Sequence, residues 1–60
     1  MNDIENLYKV HDILKETNDK LEDIPKFKND KFETEITFIY NKIDAFKNHV
    51  TKLIEDEVFT

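Results

Sequence analysis

The chain contains no glycine, serine, cysteine, arginine, glutamine or tryptophan, and its one proline is Pro25. Each absence removes a class of structure or chemistry. Without glycine there is little material for the primed and type II turns that join β-hairpins, so an all-β fold is disfavoured. Nor can a glycine-rich phosphate-binding loop be built. Without cysteine there are no disulfides and no thiolate-ligated zinc, which fits a reducing, intracellular setting. With serine also missing, a nucleophile of the serine, cysteine or threonine kind would have to be Thr17, Thr34, Thr37, Thr51 or Thr60, and none stands in a local motif with His11 or His49. Finally, a formal net charge of −5 with no arginine argues against direct binding to nucleic acid, because that binding is driven by cations displacing counterions from phosphates.

Long apolar runs are missing too. No stretch approaches the roughly 18 apolar residues a membrane span requires. The opening MNDIENLYKV carries acids where a secretory leader has a basic region, so the chain reads as soluble and cytoplasmic. Sixty residues amount to one domain at most. A chain this short buries only about 60% of its unfolded surface, so its own core is marginal and self-association is the remaining common remedy.

What is present is helical periodicity. Leu7, Val10, Leu14, Thr17, Leu21 and Ile24 follow one another at intervals of three and four, and so do Phe32, Ile36, Ile39, Ile43, Phe46, Val50 and Leu53. These are two heptad seams. The run ITFIY at 36–40 has strand propensity, but the uninterrupted 3.5-residue period through it outweighs that. Asn2 with Glu5, and Asp30 with Glu33, have the spacing of capping boxes, and Pro25 disfavours helix at the residue before it. The spacing therefore predicts an all-α chain: helix at 3–23, a connection at 24–30 and helix at 31–58, with the second helix the longer. A connection this short makes the helices antiparallel neighbours, a two-helix hairpin.

Apolar residues also lie beside the seams: Ile4 and Ile13, then Phe38, Tyr40, Ile54, Val58 and Phe59. They widen each stripe beyond what one two-helix contact covers, which predicts a homodimer of hairpins forming a four-helix bundle. An antiparallel hairpin also gathers Asp3 and Glu5 with Glu55, Asp56 and Glu57 at its open end. Asp3 and Glu5 suit the positive end of a helix dipole, whereas Glu55, Asp56 and Glu57 oppose the negative end of theirs.

Acid pairs such as Asp12 and Glu16 sit on a solvated helix surface, and neither histidine has a recognised metal-ligand spacing. His11 and His49 read as residues flanking the seams, with a pH-dependent interface as the alternative. No catalytic, cofactor-binding or metal-binding residue is assigned, and the chain is not expected to be an enzyme. In size and hairpin architecture it is similar to small plasmid-encoded RNA-binding four-helix-bundle dimers, but it lacks any basic face and is not assigned to that family.

The functional expectation is a small protein-binding module acting as a stoichiometric inhibitor or regulator of a larger host protein, encoded by a phage or another mobile element. Tyr40, Ile54, Val58 and Phe59 are the expected apolar anchors, and Glu55, Asp56 and Glu57 the electrostatic complements. A sharper version makes the acidic surface a nucleic-acid mimic, with a DNA-handling protein of basic surface as its target. The alternative is a structural coiled-coil piece whose role is oligomerisation.

Overall fold

In a computed structural model, which describes residues 3–59, the chain forms two α-helices, α1 (Asp3–Glu22) and α2 (Asp30–Phe59). They pack against each other in an antiparallel hairpin 47 Å long and 15 Å wide. No helix is long and apolar enough to cross a membrane.

Local chemistry sets the helix ends. α1 closes with two i→i−3 bonds, from the Asp23 amide to the Lys20 carbonyl and from the Ile24 amide to the Leu21 carbonyl, each 3.2 Å. Such bonds tighten a final turn and satisfy carbonyls that would otherwise be orphaned ahead of Pro25. No described residue has positive φ, so this end uses no left-handed cap. At the start of α2 the capping residue is Asn29, one position earlier than expected. Its Oδ1 accepts from the amides of Lys31 (2.9 Å) and Phe32 (3.2 Å). Asp30 is instead the first helical residue, and Glu33 accepts a hydrogen bond from the Phe27 amide. The Phe27 and Phe32 rings meet edge to face at 6.0 Å, so the connection folds back along the first turn of α2. The other expected capping residue, Asn2, lies outside the described residues.

Because Asn29 supplies acceptors for two first-turn amides, Asn29→Ala should cost about 1 kcal/mol. In a domain this small that corresponds to a melting temperature lower by about 4–8 °C, measurable by thermal denaturation followed by circular dichroism.

The seam between the helices differs from the expected one on both elements. The inward positions of α1 are Ile4, Leu7, His11, Leu14, Asn18 and Leu21; those of α2 include Ile36, Tyr40, Ile43, Lys47, Val50 and Ile54. Leu7, Leu14, Leu21, Ile36, Ile43 and Val50 therefore lie inward as expected. Val10, Thr17 and Ile24, and likewise Phe32, Ile39, Phe46 and Leu53, lie on exposed surface. Each helix is turned by about one residue about its axis, which in a heptad pattern exchanges one column of side chains for the adjacent one.

Asn18 marks the physical reason. It is 5% exposed, and its Nδ2 donates to the main-chain carbonyl of Tyr40 at 3.3 Å. A short side chain reaching the backbone of the opposite helix requires close approach at that layer, which is filled by Asn18 and Tyr40 in place of Thr17 and Ile39 of the expected seam. On the edge of the seam the Tyr40 hydroxyl donates to the Glu22 carboxylate. The Asn18 Oδ1 is buried without a hydrogen-bond partner among the described residues. Polar groups in a seam fix register at a cost in stability.

The hairpin's own core is thin. Only Val50 (1% exposed) and Ile54 (8%) are buried apolar side chains among the described residues. Polar side chains share the inner face: Lys47 is three-quarters covered and pairs with Asp44 at 3.5 Å, and the Thr51 hydroxyl returns to the Lys47 carbonyl at 3.0 Å.

Candidate interaction surface

At the open end of the hairpin the first turns of α1 meet the last turns of α2. An open groove of about 360 Å³ lies there, lined by Asp3, Asn6, Leu7 and Val10 from α1 and by Leu53, Asp56 and Glu57 from α2. Its apolar part is Leu7, Val10 and Leu53, one leucine from the covered seam and two residues from the exposed columns. Asp3, Asp56 and Glu57 supply carboxylates from both helices. The antiparallel fold thus brings together acids that are more than fifty positions apart in the chain. No lysine or histidine is in the last turn of α2, so nothing basic on that turn offsets the carbonyl end of the helix.

The candidate residues named from the sequence separate into three groups. Glu55, Asp56, Glu57, Val58 and Phe59 are exposed on the final turns of α2, with Phe59 at 84%. Asp56 and Glu57 line the groove, while Glu55, Val58 and Phe59 lie beside it on the same turns. Ile54 is buried in the seam against α1 and is not presented to a partner by the closed hairpin. Tyr40 is half-buried near the other end of the seam, 19 residues before Phe59 and so about 28 Å away along the helix. Its hydrogen bond to Glu22, together with partial desolvation and the Glu22 charge, raises its pKa above the usual 10.0. Tyr40 acts as a clasp between the helices, and it is not brought to the open end.

A second surface is absent from that candidate set. Phe32, Ile39, Phe46 and Leu53 recur at intervals of seven along α2, and each is between 38% and 55% exposed. Val10 on α1 and Ile24 just beyond its end continue the corresponding column, and Val10 and Leu53 line the same groove, so the two columns share one face of the hairpin. The signal was in the sequence: these apolar positions recur at a constant interval of seven, as do Leu7, Leu14 and Leu21 and Ile36, Ile43 and Val50. Periodicity, however, shows that a column is apolar without showing which neighbour covers it. Phe38 lies on a different side of α2, with the Lys42 ammonium 4.5 Å from its ring centre.

Among the described residues no three histidine, aspartate or glutamate side chains are grouped so as to hold a metal ion. Comparison with protein-family models, with curated proteins and with solved structures finds no match to this chain.

Proposed function

We propose that this chain is a small protein-binding module that acts by stoichiometric binding, as an inhibitor or regulator of a larger protein, and that its hairpin is half of a four-helix bundle. The observation that carries the reading is the open end, where Asp3, Asp56 and Glu57 are gathered from both helices with the exposed apolar side chains Val58 and Phe59 beside them. Aromatic and aliphatic anchors inside a charged rim are what a binding surface needs: the anchors supply affinity, and the rim steers encounter and rejects like-charged partners. The partner of this chemistry carries a basic surface beside an apolar cleft. A DNA-handling protein whose basic channel is occupied by the acidic end is one such target, and on this reading the module works in the cytoplasm without membrane, metal or cofactor.

The test uses the whole chain as bait against lysate of a candidate host, followed by binding measurements on the purified partner. Fixed stoichiometry, affinity falling steeply between about 50 and 200 mM salt, and loss of binding on the combined change E55K, D56K and E57K are expected. Charge reversal without effect would move the binding surface away from the open end. Binding that ignores salt would remove the nucleic-acid-mimic version.

A structural role in oligomerisation is the second reading, and the exposed column Phe32, Ile39, Phe46 and Leu53 favours it. A large homo-oligomer with no foreign partner is its expected signature.

A further inference from the structure

The exposed column on α2 requires an occupant. We propose that a second copy of this chain covers it, packed head to tail, with the open end of each copy beside the connection of the other. This rests on the reading of the hairpin as half of a four-helix bundle, and it adds the face and the direction of packing.

Area is the first argument. A compact protein of 7.2 kDa exposes about 4,100 Å², whereas this hairpin exposes 5185 Å². The excess is on the order of 1,000 Å², close to the roughly 800 Å² that each partner contributes to a specific interface of standard size. The exposed face formed by Val10, Ile24, Phe32, Ile39, Phe46 and Leu53 is apolar, as the centre of such an interface must be.

Symmetry is the second. A two-fold axis requires a patch to complement itself. Four side chains spaced seven apart do so when run antiparallel: Phe32 of one copy meets Leu53 of the other, and Ile39 meets Phe46. Each pair then sets a larger side chain against a smaller one.

Charge decides the direction. Residues 3–9 and 52–59 hold five acids (Asp3, Glu5, Glu55, Asp56 and Glu57) against Lys9 and Lys52, a net charge of −3. Residues 22–33 at the connection hold four acids against Lys26, Lys28 and Lys31, a single net negative charge. Head-to-head packing would place two five-acid ends together, and like charges so juxtaposed are costly. Head-to-tail packing places each beside the near-neutral connection and within reach of its lysines.

The experiment combines mass in solution with directed disulfides, which the absence of native cysteine makes clean. Sedimentation equilibrium on the full chain should give twice 7.2 kDa. Phe46→Glu should weaken the dimer at least tenfold while the far-ultraviolet helical signal persists, since Phe46 is 55% exposed in the hairpin. Asn48→Glu, on the opposite side of α2, should leave the dimer intact. Glu35 and His49 flank the column on the same side of α2, within one residue of being symmetric about its midpoint. An equimolar mixture of the Glu35→Cys and His49→Cys chains should therefore yield chiefly the mixed disulfide. Like-with-like disulfides would overturn the head-to-tail direction while leaving the bundle. A dimer indifferent to Phe46→Glu would overturn the face. A chain that remains monomeric at several hundred micromolar would overturn the bundle reading itself. Should Phe46→Glu also lose its helical signal, Phe46→Ala decides, because an unchanged dimerisation constant in that variant would overturn the face as well.

Discussion

Replacing Val50 with aspartate is expected to leave the chain without a folded hairpin at neutral pH. Val50 is 1% exposed, the most deeply covered apolar side chain among the described residues, and it sits on the inner face of α2 between Lys47 and Ile54. A carboxylate there must be desolvated, and the neighbouring Lys47 is already paired with Asp44, so the cost is several kcal/mol even after relaxation. A core whose buried apolar side chains, among the described residues, are Val50 and Ile54 has little to set against that, since domains below about 70–80 residues seldom gain more than 3–5 kcal/mol from a single core. Circular dichroism should show the helical signal largely lost and no cooperative thermal transition. A cooperative transition close to that of the parent would show that the covered column is not the one containing Val50. Val50→Ala, which removes volume without adding charge, should instead retain the fold with a lower midpoint.

The second large effect separates two adjacent residues. Ile54→Ala should destabilise the hairpin by about 2–5 kcal/mol, the range for truncating a buried aliphatic side chain and leaving a cavity. In dilute solution Leu53→Ala should cost under about 1 kcal/mol, because Leu53 is 38% exposed while Ile54 is 8% exposed. The heptad seam read from the sequence would give the opposite order, with Leu53 inside and Ile54 beside it. Urea denaturation of the two variants at a few micromolar decides between the columns. Repeating it at a hundredfold higher concentration adds a further check: the penalty for Leu53→Ala should grow as a second copy covers that residue, and apparent stability of the parent should rise with concentration. Equal penalties at both residues and all concentrations would contradict the covered seam.

The particular residues show where legibility ended. Pro25, the heptad spacing and the two helix spans were readable because they are local: the fixed φ of proline, a side-chain period of 3.5 and the need to cap the first amides act within a few positions. Asn29 was missed in favour of Asp30 because both are good caps and adjacent, and only the path of the connection, held by Phe27 on Phe32, decides which one precedes the first helical residue. The acidic open end was legible because antiparallel packing alone brings Asp3 to Asp56 and Glu57. Placing Tyr40 and Ile54 among the exposed anchors followed from assigning the core to the adjacent column; the fold gives them to the seam and to the clasp with Glu22.

Sequence alone therefore determined that this chain makes two amphipathic helices, where they stop, and that together they carry more apolar surface than one contact can bury. Only the tertiary structure decided which column is covered. An apolar stripe two columns wide fits a neighbouring helix through either column with similar burial. The choice then rests on contacts between residues far apart in sequence, above all Asn18 against the Tyr40 backbone and Tyr40 against Glu22, which no local pattern encodes.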